Sequence, residues 1–157
     1  MVIRKVNLKD IPKLWNFEKE NRLYDRKILG SKFKIFFLWE MNNSEKEKWI
    51  KNIKREIRKK NVLVLVSENE KLTGYAKGIV SNFNNHKVGY IEEFFVTKKE
   101  RGKGVSSELM RKMMNWFKDN KVEYIGLDVF AKNKEVIEIY KKFGFEPFSL
   151  HMKLADY

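Results

Sequence analysis

Four groups of residues in this 157-residue chain have types and spacings that could do chemistry. The run Arg101-Gly102-Lys103-Gly104-Val105-Ser106-Ser107 joins a strand-like segment to a helical one. Such a turn gathers unpaired main-chain N–H groups, small residues and the positive end of a helix at one point, which suits a phosphate. Gly102 and Gly104 let the backbone approach an anion closely, and Ser106 or Ser107 adds a hydroxyl donor. An ordinary tight connection is the plain alternative. Glu92 and Glu93 stand mid-strand among apolar residues, where neighbouring side chains point to opposite faces. Only one of them enters a given cleft unless a bulge re-aims the other. Tyr140 keeps helical register with Val136 and Phe143 and reads equally as a core aromatic, and Asn133 reads as a helix N-cap.

Other chemistries are absent from the pattern. There is no cysteine, so thiolate nucleophiles, disulfides, Cys-rich zinc sites and iron–sulfur clusters are excluded. His86 and His151 are isolated, no His-x-x-x-His spacing occurs, and nothing supports a Ser-His-Asp arrangement, so no metal is expected. The Walker phosphate loop fits poorly, because Gly102 is followed by Lys103-Gly-Val-Ser-Ser. A dinucleotide fingerprint would need glycine where Ser107 stands and would follow a parallel strand early in the chain. Asp128, about twenty residues on, keeps that reading open.

The elements that must position these groups are legible from periodicity. Val2 to Val6 reads as a strand, and Asp10-Ile-Pro, with Asp10 as an acidic N-cap candidate and Pro12 nearby, opens a helix with Ile11, Leu14 and Trp15 on one face. Ser44-Glu-Lys-Glu47 matches a capping box ahead of Trp49, Ile50, Ile53 and Ile57 at helical spacing. Val62 to Val66 is a continuous apolar run typical of a buried strand. A tight polar connection at Glu68 to Lys71, a strand from Thr73 to Val80, an Asn-rich loop from Ser81 to Lys87 and a strand from Val88 to Val96 complete an antiparallel meander. After the glycine turn come a helix with a Val105, Leu109, Met113 and Phe117 stripe, a strand from Tyr124 to Phe130, and a helix from Lys134 to Lys142 ended by Gly144. The tail from Phe148 to Leu154 alternates apolar and polar residues and reads as a last strand.

Length argues for a single domain over residues 1–157. Apolar residues make up 43% and charged residues 35%, enough for a packed core. No leader pattern or long apolar run appears, which predicts a soluble, cytoplasmic protein without a membrane partner. The net charge of +13 favours an anionic ligand, although lysine-rich composition alone could account for much of it.

Taken together, the turn Arg101-Gly-Lys-Gly104-Val-Ser106 resembles the Arg/Gln-x-x-Gly-x-Gly/Ala hallmark of the GCN5-related N-acetyltransferases (GNAT). Ile91-Glu-Glu-Phe-Phe-Val96 ahead of it is similar to the polyamine (spermidine/spermine) acetyltransferases. Leu127-Asp-Val, Asn133 and Tyr140-Lys-Lys-Phe-Gly-Phe145 resemble the family's second motif. Ser106 departs from the hallmark, standing where Gly or Ala is usual. The resemblance implies an α/β fold with a mixed central sheet, an antiparallel N-terminal meander and about four helices. It implies acetyl-CoA as co-substrate, held by Phe95, Val96, Arg101, Gly102, Lys103, Gly104, Val105, Ser106, Asn133 and Tyr140. Lys98, Lys99, Lys103 and Lys132 would steer the anionic donor.

Acetyl transfer to a primary amine needs a base, because an ammonium with a pKa near 10.4 is only about 10⁻³ to 10⁻⁴ free base at pH 7, a deficit of roughly 4–5 kcal/mol. The resemblance assigns Glu92 as that base, acting through water, Glu93 as a carboxylate attracting the acceptor ammonium, and Tyr140 as the acid that protonates the leaving thiolate. The family's strand bulge would serve both glutamates. The acidic pair favours a small polyamine-like acceptor; a peptide or protein amine is the nearest variant, and a homodimer is compatible. The aromatic residues Phe33, Phe36, Phe37 and Trp39 fall where the family builds its acceptor pocket, and the loop from Asn21 to Asn43 would choose the acceptor. A basic nucleic-acid binding module, carried by the Lys/Arg face from Lys46 to Lys60, is the reading from another class, but no nucleic-acid motif accompanies the charge.

Overall fold

The structure is a computed structural model that describes residues 1–30 and 43–152. Five strands form one sheet: β1 (Val2–Lys5), β2 (Val62–Asn69), β3 (Lys71–Phe83), β4 (His86–Val96) and β5 (Tyr124–Leu127), in spatial order β1-β2-β3-β4-β5. The first four are antiparallel, and β5 joins β4 in parallel. Among the described residues, four α-helices complete the expected α/β arrangement: α1 (Ile11–Leu29), α2 (Asn43–Glu56), α3 (Val105–Asp119) and α4 (Lys134–Lys142).

The continuous apolar run of β2 is explained by helices on both faces of the sheet. On one face, Leu63, Leu65, Ala76, Val80 and Ile91 pack against Leu109, Met110, Met113 and Phe117 of α3, with Tyr140 of α4 and Phe143 just past its end beside them. On the other, Val64, Val66, Tyr75 and Phe95 pack against Ile11, Leu14 and Phe17 of α1 and Ile53 of α2. The α3 helix sits close on the sheet: a Cβ at Gly78 would lie 2.5 Å from Met113 Sδ.

Several local expectations need correction. The Asn-rich segment from Ser81 to Lys87 is mostly strand, because Asn84 (φ +47°) and Asn85 (φ +67°) supply a two-residue hairpin turn. The stretch expected to be loop from Asn21 onward continues α1 to Leu29; residues 31–42, with Phe33, Phe36, Phe37 and Trp39, lie outside the described residues. Asp10 does not cap α1 with its side chain; its carboxylate instead accepts from Arg4 Nη1 (2.7 Å) and the Asn7 N–H (2.8 Å). The fifth strand ends at Leu127, not Phe130. Residues 148–152 form no strand, and Phe148, Leu150 and Met152 are exposed. Alternation marks a face to bury but does not supply a ladder partner.

Candidate active site

Strands β4 and β5 are paired only from Val88/Tyr124 to Ile91/Leu127. Beyond Ile91 the last five residues of β4, Glu92 to Val96, have no partner in β5, so the sheet opens there. The register of β4 against β3 slips at the same point: Lys77 faces Glu93, whereas Gly78 faces Ile91, which leaves Glu92 as the extra residue of a β-bulge. The bulge defeats the usual alternation. Both carboxylates reach one cation, Lys77 Nζ lying 2.7 Å from Glu92 Oε2 and 3.8 Å from Glu93 Oε1.

Lys77 is 6% exposed, and Glu56 of α2 also binds its ammonium at 2.5 Å. Burial drives its pKa down, but Glu93, Glu56 and Glu92 outweigh that penalty, so the net shift is upward. Deeper still lies Tyr75, with no exposed surface. Its hydroxyl contacts Glu93 Oε2 and, at 3.1 Å, Glu18 Oε2 on α1. Glu18 follows Leu14 by one helical turn, so it projects from the apolar stripe of α1, and its other oxygen accepts from Arg22 Nε at 2.6 Å. Burial, then repulsion by Glu18, pushes Glu93 up to about 7 against the pull of Lys77 and Tyr75. Asp25, half-buried on the same helix, rises to about 6 through burial and Glu18. Carboxylates thus outnumber cations here, in a chain whose total charge is strongly positive.

Tyr140 of α4 stands across the opening from β4. Its ring meets Phe94 edge-on at 6.4 Å and Phe145 at 5.9 Å, and burial followed by the charge of Asp25 pushes its hydroxyl up to about 12. Asn133 is buried and serves as the N-cap of α4, its Oδ1 accepting from the Val136 N–H and the Tyr24 hydroxyl, each at 3.4 Å. Phe95 and Val96 are both buried, one on each face of the sheet.

The glycine turn lies at the end of the opened strand, past a short 3₁₀ turn at Lys98–Glu100. Gly102 (φ +76°) and Gly104 (φ +82°) are both left-handed, and among the described residues no atom beyond their chain neighbours lies within 4 Å of where either Cβ would stand. Among the described residues, the N–H groups of Gly102, Lys103 and Gly104 have no main-chain acceptor. They precede α3, whose own first N–H groups point the same way. Val105 is buried, Ser106 is half-buried, and Lys103 pairs with Glu100 at 3.2 Å. Arg101 is anchored: its Nε donates to the Val96 carbonyl at 3.2 Å, and its guanidinium lies 5.8 Å from the Tyr24 ring centre. A cradle of free amides with open space above it, at the positive end of a 15-residue helix, fits a diphosphate.

The sequence motifs thus follow one strand, with Glu92 and Glu93 at its bulge, Phe94 against Tyr140, and the glycine turn past its end. Glu18, Tyr75, Lys77, Asp25 and Glu56 went unnoticed in the sequence, although a single lysine in the apolar strand Tyr75-Ala76-Lys77-Gly78-Ile79 was a signal that acids must face it.

Residues 15–145 match the family model described as "Acetyltransferase (GNAT) family". An uncharacterised N-acetyltransferase of Bacillus subtilis, YobR, is 33% identical over 84 residues, which is 54% of this chain and 32% of that one. The match spans about a third of the length of the curated relatives. Among solved structures, a protein of Bacillus halodurans superposes with a TM-score of 0.82 at 18% identity, covering 98% of both chains. An aminoglycoside N-acetyltransferase in complex with CoA gives 0.73 at 14%, covering 98% of this chain and 92% of that one. With the opened sheet, the amide cradle and a family match over most of its length, the chain belongs to the GNAT acetyltransferase family.

Proposed function

We propose that the protein transfers the acetyl group of acetyl-CoA directly to the primary amine of a small, cationic, polyamine-like acceptor. The observation that carries this reading is the bulge at the mouth of the opened sheet, which brings two adjacent carboxylates to one side, both on Lys77, near the buried Glu18 and the half-buried Asp25. An ammonium entering there meets compensating charge, whereas the amides of residues 102–104 and the helix end behind them meet the pyrophosphate of the donor.

In this reading the turn from Arg101 to Ser106 grips the diphosphate, and Arg101, fixed to the Val96 carbonyl, holds the turn against the strand end. The edge of β4 beyond Ile91, unpaired on the β5 side, offers main-chain groups such as the Val96 N–H to the extended arm of the donor, and Asn133 fixes the start of α4 so that Tyr140 faces it. We assign the base to Glu93 and the acceptor-attracting role to Glu92, the reverse of the division drawn from the motif. A base serves best with a pKa near the working pH, which Glu93 has, while Glu92 is engaged by Lys77 at 2.7 Å. Glu93 takes one proton from the ammonium, and the free amine attacks the thioester carbonyl. On collapse the C–S bond breaks, the sulfur leaves with the proton of the Tyr140 hydroxyl, and one of the two protons left on nitrogen restores the phenol while the other stays as the amide N–H. One proton is released overall.

Incubation with acetyl-CoA and a panel of polyamines, aminoglycosides and peptide amines, followed by thiol release, tests the proposal. Turnover with polyamines is expected to exceed that with monocationic amines. Absence of thiol release with every amine would overturn it.

A further inference from the structure

The Tyr75 hydroxyl lies between two carboxylates, within hydrogen-bonding distance of Glu18 Oε2 and Glu93 Oε2, where no water reaches it. A phenol has one hydrogen and can donate to only one of them. The second contact would set lone pair against lone pair unless a carboxyl brings a hydrogen of its own. Cations bound to the two acids show which one does. Glu18 has Arg22 Nε at 2.6 Å on its other oxygen, whereas among the described residues Glu93 has no cation nearer than Lys77 at 3.8 Å, and Glu56 and Glu92 claim that ammonium at shorter range.

We propose that Glu18 and Tyr75 are positioning residues for Glu93, the three side chains holding in common one hydrogen beyond the phenol's own, and that this pair sets when Glu93 is free to accept a proton. The inference rests on the assignment of Glu93 as base. The charged and titratable groups facing Glu93 are Glu18 from α1, Tyr75 and Lys77 from β3 and Glu92 from its own strand, with Asp25 and Glu56 in the layer behind. Their effects have different signs. Glu18 repels the ionised Glu93, while the Tyr75 hydroxyl stabilises it. Entry of an acceptor ammonium supplies the missing positive charge, and the shared hydrogen then leaves to solvent.

The test is infrared spectroscopy of the full chain between pH 5 and 8, following the carbonyl band of a protonated carboxylic acid, assigned to Glu93 by its loss in Glu93→Gln. The band is expected to persist to near-neutral pH. Its midpoint should move down by roughly one pH unit in Glu18→Gln, which removes the repelling charge while keeping the shape. It should move up in Tyr75→Phe, which removes the donor. The acid limb of kcat/KM should shift with each. A purely structural role would not send the two variants in opposite directions. No such band above pH 6 in the parent protein, or one midpoint common to all three proteins, would overturn the proposal. Should the band behave as expected while Glu93→Gln retains its turnover, the shared hydrogen stands and the assignment of the base falls.

Discussion

A glutamate that ionises near 7 is a better base toward an ammonium than an ordinary one, and the rest of the molecule makes it so at some cost in stability. Activity should therefore follow it. kcat/KM is expected to rise with pH through about 7, and Glu93→Gln to lower kcat by about 10²–10⁴ while the Kd for acetyl-CoA, read by calorimetry, holds constant. An unchanged rate would remove Glu93 from the mechanism. Tyr140, half-buried and pushed up to about 12, stays protonated throughout that range, as the proposed donor must. Tyr140→Phe should cost roughly 10–10² in kcat with little change in donor affinity, and a full-rate variant would send the proton by another route.

Elements place these residues, and two of the placements can be probed directly. The φ of +82° at Gly104 precedes α3 in open space, so Gly104→Ala meets no clash and suffers only the left-handed backbone. It should destabilise the chain by about 1–2 kcal/mol and weaken acetyl-CoA binding in calorimetry; equal affinity would detach the turn from the donor site. Lys77 joins α2, β3 and β4 through Glu56, Glu92 and Glu93, and Lys77→Met leaves three acids facing one another. A loss of about 3 kcal/mol in urea unfolding is expected, less at pH 5 than at pH 8. The glycine turn, the helical stripes and the apolar strands were legible because each depends on neighbours within a few positions. The cluster around Tyr75 was not: Tyr75 meets Glu18 across 57 residues and Glu93 across 18, and no local period reports contacts of that range. The tail from Phe148 failed for the opposite reason, a correct local pattern without a partner beside it. The bulge at Glu92 was anticipated only through family resemblance.

For the molecule as a whole, the same strained acids predict a pH dependence of stability. Glu93 and Asp25 protonate at higher pH in the folded chain than in the unfolded one, so the folded state binds more protons between about pH 4 and 7. Their contribution is greatest below that window and is lost as pH rises through it. Thermal midpoints should thus be higher at pH 5.5 than at pH 8, and Glu93→Gln should flatten the difference, on the order of 2 kcal/mol. A steeper fall in the variant would contradict the linkage. The order of the sheet carries a kinetic consequence as well. Every ladder joins strands consecutive in the chain, and β2, β3 and β4 are linked by turns of one or two residues, so their hairpins close at small loop entropy. Strand β5 must await the whole of α3 before it can dock in parallel. Backbone amides of the meander should gain protection from hydrogen exchange first during refolding, and those of β5 last, which means the mouth of the cleft is the final part of the protein to take shape.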